Sequence, residues 1–132
     1  FCDGVSNSSG FPATLRAQGT ALVASNDLTL IAEDLPTFSV GYFLVSSVTD
    51  NVPNAGGSAG TLCLGLPIGR YSNSVLSSGS TGTIQLAIDL TDIPQPTGSI
   101  AGMAGETYHF QGWYRDQVLG FATSNFTDGL SV

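Results

Sequence analysis

Read with a period of two, the stretch Glu106–Asp116 separates into two unlike faces. Tyr108, Phe110, Gly112 and Tyr114 point one way, while Thr107, His109, Gln111, Trp113 and Arg115 point the other. The first set suits a core and the second a surface made to meet something. The cleanest alternation is Thr83–Leu90, with Ile84, Leu86, Ile88 and Leu90 inward and Gln85 and Asp89 outward. Asp27–Glu33 places Leu28, Leu30 and Ala32 on one face. Phe38–Ser47 is apolar on both, with Phe38, Val40, Tyr42 and Leu44 on one side and Phe43 and Val45 on the other. That pattern belongs to a central strand covered twice. Residues 13–24 read as an edge strand interrupted at Gly19, 61–66 as a short strand carrying Cys63, and 125–132 as the last strand.

Between these runs lie Gly, Pro, Asn and Ser clusters, the punctuation of turns and loops. Ser25-Asn26-Asp27 is a turn, 49–60 a long loop, 67–82 a weak strand with a flexible loop, 92–99 a Pro-rich connector and 117–123 another loop. No segment of ten or more residues carries a helical period. The pattern predicts an all-β chain, an antiparallel β-sandwich of about seven to nine strands with immunoglobulin-like or jelly-roll topology. It predicts one domain over 1–132, with residues 1–12 an irregular lead-in tethered by Cys2.

Composition narrows the partners. Charged residues make up 10% of the chain, far below the usual quarter, and Ser, Thr and Gly stand in their place. Net charge is −7 with no lysine, which argues against nucleic acid and anionic membrane surfaces as partners, since both need clustered cations. No apolar run reaches membrane-spanning length. Starting at Phe1 rather than Met, the sequence reads as a processed product or an excised domain. The two cysteines, Cys2 and Cys63, read as a disulfide and hence an extracellular or cell-surface location; two buried free thiols are the alternative.

Little in the chain suggests catalysis. The lone His109 sits in mid-strand without a G-x-S-x-G elbow, and the ten carboxylates fall mostly at strand ends and turns. No enzyme activity and no cofactor are expected. The metal candidates are two oxygen-rich loops, Asp50-Asn51 with Asn54 and Asn125 with Asp128, which could build a calcium shell with loop carbonyls. Neither has the spacing of an EF-hand loop. Asn7-Ser8-Ser9 and Asn125-Phe126-Thr127 fit the N-glycosylation triplet. What remains is the Trp113 face. His109, Gln111, Trp113 and Arg115, with Phe43 as an apolar neighbour, form the type of surface that stacks on a sugar ring or anchors a protein interface.

Several stretches together resemble a C-terminal domain that recurs in secreted proteins of planctomycetes and related bacteria. They are FCDGVSNSSGFPA, NDLTLIAEDLP, GYFLVSS, GGSAGTLCLG, ETYHFQGWYRD and SNFTDGLSV, which cover most of the chain. The resemblance implies an exported protein and pairing of Cys2 with Cys63; it implies no activity. The leading expectation is a non-catalytic extracellular module for assembly or adhesion, associating with other subunits or with copies of itself in a surface fibre or layer. The alternative is a carbohydrate-binding module using Trp113, with Tyr42, Tyr71 or Tyr114 as a second stacking residue.

Overall fold

A computed structural model describes all residues, 1–132. It contains thirteen strands: β1 (Thr14–Gly19), β2 (Leu28–Glu33), β3 (Val40–Ser46), β4 (Thr49–Pro53), β5 (Thr61–Leu64), β6 (Gly69–Arg70), β7 (Leu76–Ser77), β8 (Ile84–Ile88), β9 (Ile93–Pro94), β10 (Ser99–Ile100), β11 (His109–Val118), β12 (Phe121–Phe126) and β13 (Leu130–Ser131). Five of them, β6, β7, β9, β10 and β13, are two-residue pairings. That leaves eight strands of four residues or more, within the expected seven to nine. All pairings are antiparallel, and the chain is the all-β sandwich that the alternation predicts.

One sheet has the order β1-β2-β8; the other has the order β12-β11-β3-β6, with β13 beside β11 and β7 beside β3. The inward residues of β2 and β8 meet those of β3 and β11. Leu28, Leu30, Ile84 and Ile88 pack with Phe43, Val45, Phe110 and Tyr114 in one core cluster. Truncating one of the large members, such as Phe110, removes about 3–5 kcal/mol by transfer and cavity terms together.

The larger sheet is covered a second time. The β4–β5 hairpin lies over its outer face, and Leu64 of β5 joins Leu44, Ile68 and Phe126 in a smaller apolar cluster. The doubly apolar pattern of β3 thus has its cause in a third layer. This hairpin falls where 49–60 reads as a loop. β4 carries no buried alternation, because all five of its residues are exposed, and only backbone pairing with β5 defines it. A second difference lies at 117–123. β11 continues to Val118 and turns back through Leu119-Gly120, both at positive φ (51° and 81°), as a type I′ turn requires. Leucine does not advertise that conformation, so the turn is hidden in the sequence.

Cys2 and Cys63 are disulfide-bonded, which ties the front of the chain to β5. The lead-in is also held by polar bonds. Asn7 is buried, and its Nδ2 donates to Asp34 O (2.8 Å) and to the Tyr114 hydroxyl (3.0 Å). The Ser8 amide donates to Asp116 Oδ1 at 3.1 Å. Burial pushes the Tyr114 hydroxyl well above the usual tyrosine range, so it stays protonated.

With a sequence separation of 61, the cross-link restricts the unfolded chain by ~4 kcal/mol in the loop-entropy treatment. Replacing both Cys2 and Cys63 by Ala is therefore expected to lower unfolding stability by about that amount, read from denaturant midpoints. An unchanged midpoint would show that the bridge constrains nothing.

Candidate functional site

Residues directly opposite in an antiparallel pair share a face. Trp113 stands opposite Phe126 on one side and Tyr42 on the other. Arg115 is opposite Ser124, Gln111 is opposite Leu44, and Leu44 is opposite Arg70. These side chains therefore share the outer face of the larger sheet. The Tyr42 and Trp113 rings lie 5.1 Å apart between centroids with planes tilted by 39°. The Arg115 guanidinium carbon is 5.2 Å from the indole centroid, a cation–π contact.

Together they floor a groove of about 330 Å³. Tyr42, Trp113, Leu44 and Phe126 form the floor, Leu62 and Ile68 a wall, and Arg70 and Arg115 the charged rim. The wall stands where it does because β5 is fastened to the sheet. Gln111 Oε1 accepts the Cys63 amide at 2.9 Å, and its Nε2 donates to Thr61 O (2.9 Å) and Thr127 O (2.8 Å). With no exposure at all, Gln111 is a structural cross-link and not part of a binding surface.

Two other candidates on this face are also placed differently. Phe43 is fully buried and pairs with Gly112, so it faces the main core with Phe110 and Tyr114. The neighbours of Trp113 are Tyr42 and Leu44 instead. His109 lies four residues from Trp113, roughly 13 Å along the strand, and does not line the groove. Its ring packs edge-on against Phe1 (5.2 Å), and its Nδ1 is 2.8 Å from Ser131 Oγ. Desolvation, with the charge of the Phe1 amino group second, holds its pKa below the usual histidine value. A serine and a histidine do meet here, but no carboxylate hydrogen-bonds the ring to orient it as a general base.

The oxygen-rich candidates are occupied by structural bonds. Asp50 and Asn51 are exposed on β4, where Asp50 Oδ1 accepts the Asn51 amide at 2.7 Å. Asn125 is fully buried: its Oδ1 accepts the Phe126 amide (2.8 Å), and its Nδ2 donates to Val5 O (3.3 Å). Asp128 Oδ1 accepts the Leu15 amide at 2.6 Å, and desolvation raises its pKa. No three His, Cys, Asp or Glu side chains converge to hold a metal ion. Burial of Asn7 and Asn125 also removes both glycosylation triplets from reach in the folded domain.

Of the three tyrosines weighed as second stacking residues, Tyr42 occupies that place. Tyr114 is core, and Tyr71 packs against the same core. Arg70 is the residue that the sequence does not reveal. It sits on a two-residue strand in a stretch that reads as flexible, and only the scarcity of cations in the chain points to it.

Gln111→Leu preserves shape but strands the Cys63 amide and two carbonyls, each costing about 1–3 kcal/mol when buried and unpaired. We expect a stability loss of at least about 2 kcal/mol, together with a red shift of Trp113 emission as the groove wall loosens. A variant as stable as the parent with unshifted emission would contradict the cross-link. Comparison of the chain with protein-family models, with curated proteins and with solved structures finds no match.

Proposed function

We propose that this is a non-catalytic extracellular binding module whose Trp113 groove takes a saccharide. The observation that carries this reading is the Tyr42–Trp113 pair on the floor of an open groove. Two aromatic rings at an angle offer a bent platform for the apolar faces of successive sugar rings, while the tyrosine hydroxyl and the arginines supply polar contacts. The location rests on the Cys2–Cys63 bond, which persists in oxidising compartments, and on the resemblance to exported bacterial domains. No helix of the chain is long and apolar enough to cross a membrane.

Because Trp113 is the single tryptophan, its fluorescence reports on this groove alone. Titration with a panel of neutral and acidic oligosaccharides is expected to quench or shift the emission for at least one class. Trp113→Ala and Tyr42→Ala, followed by calorimetry, should each weaken that binding at least about tenfold, as truncation of a central aromatic anchor does. A flat response across the whole panel would end the saccharide reading.

Self-association is a second reading, favoured by a different region. Leu119 (93% exposed) stands at the β11–β12 turn beside the cross-strand pair of Val118 and Phe121 (77%), all three exposed. Contiguous apolar side chains of this kind mark contact surfaces. Sedimentation at micromolar concentration should then show a dimer or larger species that Leu119→Asp with Phe121→Ser converts to monomer. Only monomer, across pH and calcium, would remove this reading.

A further inference from the structure

The chemical class of the ligand can be taken further, resting on the saccharide reading of the groove. The chain has ten carboxylates and three arginines, Arg16, Arg70 and Arg115. Arg16 pairs with Glu33 at 3.2 Å, and that is the only ion pair. Arg70 and Arg115 are both exposed, both line the Trp113 groove, and neither meets a carboxylate. No Asp or Glu lines the groove. In a chain this acidic, both unpaired guanidinium groups are gathered at one groove whose lining holds no carboxylate, although Arg70 also borders a pocket with Asp89 and Asp92, and Arg115 one with Asp116.

We propose that the groove binds an acidic saccharide, one carrying carboxylate or sulfate groups. Trp113 and Tyr42 stack on its rings, and Arg70 and Arg115 pair with acid groups at either end. The register sets the spacing. Arg115 lies two residues beyond Trp113 on β11, while Arg70 lies opposite Leu44, two residues beyond Tyr42 in the other direction and one strand further over. Strand rise and strand spacing put the two Cα atoms roughly 16 Å apart, with the aromatic pair between them. A ligand that carries acid groups on successive rings can engage both arginines across the aromatic pair. A guanidinium fork matches a carboxylate or sulfate with two parallel hydrogen bonds. Arg115 lies across the indole and has no carboxylate partner to release. Turning toward an arriving acid group uncovers the Trp113 face for the sugar ring.

The test uses the intact, disulfide-bonded chain and three probes of equal length: a galacturonate hexamer, a sulfated glycosaminoglycan hexasaccharide and cellohexaose. Trp113 fluorescence and calorimetry are expected to show binding of an acidic probe, and the two acidic arms tell carboxylate from sulfate. Arg115→Gln and Arg70→Gln should each weaken that binding at least tenfold, and so should raising salt from roughly 50 to 500 mM, which screens exposed charge pairs. Both side chains are exposed, so unfolding midpoints should not move. Cellohexaose is expected to bind more weakly than the acidic probe, and no more weakly to Arg115→Gln than to the parent. Equal binding of neutral and acidic probes, unaffected by either arginine variant, would overturn the acidic-ligand inference and leave the saccharide reading standing. Binding of no probe would overturn both. A concentration-dependent dimer that Arg115→Gln dissolves, without sugar binding, would also overturn it and give the groove to an acidic segment of a second copy.

Discussion

The groove depends on one buried amide. Gln111 lies on the face of β11 that would otherwise be open to solvent, yet it is fully enclosed because β5 is drawn down onto it. Its oxygen takes the Cys63 amide, and its nitrogen reaches carbonyls on β5 and beyond β12. Each bond adds only about 1 kcal/mol net, but leaving any of these groups buried and unpaired costs more than that. The disulfide acts at the same residue, Cys63, so a covalent and a polar tie hold β5 at one place. With the hairpin fixed there, Leu64 covers Leu44 and Phe126, and the aromatic floor ends in a wall.

The same economy of charge runs through the front of the chain. Asn7, Asn125 and Thr127 are buried, and each serves the backbone of another segment or its own. Neutral amides and hydroxyls can be enclosed at the cost of a few hydrogen bonds, whereas enclosed charges would each demand a partner. A chain poor in Lys, Arg and Glu and rich in Ser, Thr and Asn is suited to this kind of interior. Gly60 shows how closely the layers meet: a side-chain carbon there would collide with the Asn125 amide. The third layer is therefore packed against the sheet and not merely draped over it.

Alternation exposed the strands with a packed face, β2, β8 and β11, because burial on one side imposes a period of two. It also sorts β3 and β11 into two faces, Phe38 excepted, which precedes β3 at positive φ (52°). Phe43 and Val45 do oppose Tyr42 and Leu44, and Phe110 and Tyr114 do oppose Trp113. Which face of β3 joins which face of β11 is a matter of register, and a slip of one residue exchanges them. Register is decided by contacts far apart in sequence, so alternation alone leaves Phe43 beside Trp113, whereas the pairing puts Tyr42 beside the indole. For the same reason Gln111 read as a surface residue, since nothing near it in sequence announces the hairpin above. β4 and the Leu119-Gly120 turn stayed hidden because their order comes from backbone pairing and positive φ, neither of which leaves a hydrophobic trace.

Packing alone explains one of the two groove arginines. Arg115 rests on an indole ring and so has a local reason for its position, but the sole cation–π contact is Arg115 with Trp113, and Arg70 makes no ion pair. A net charge of −7 does not forbid an anionic ligand, because salt confines each charge to about 8 Å at physiological ionic strength. What lines the groove itself is two guanidinium groups and no carboxylate, while Asp89 and Asp92 lie in a second pocket beside Arg70 and Asp116 in another beside Arg115. None of those three carboxylates makes an ion pair with either arginine, and the rest of the acidic chain is weakened by screening at longer range. Local and global charge can therefore have opposite signs without conflict, and recognition follows the local one.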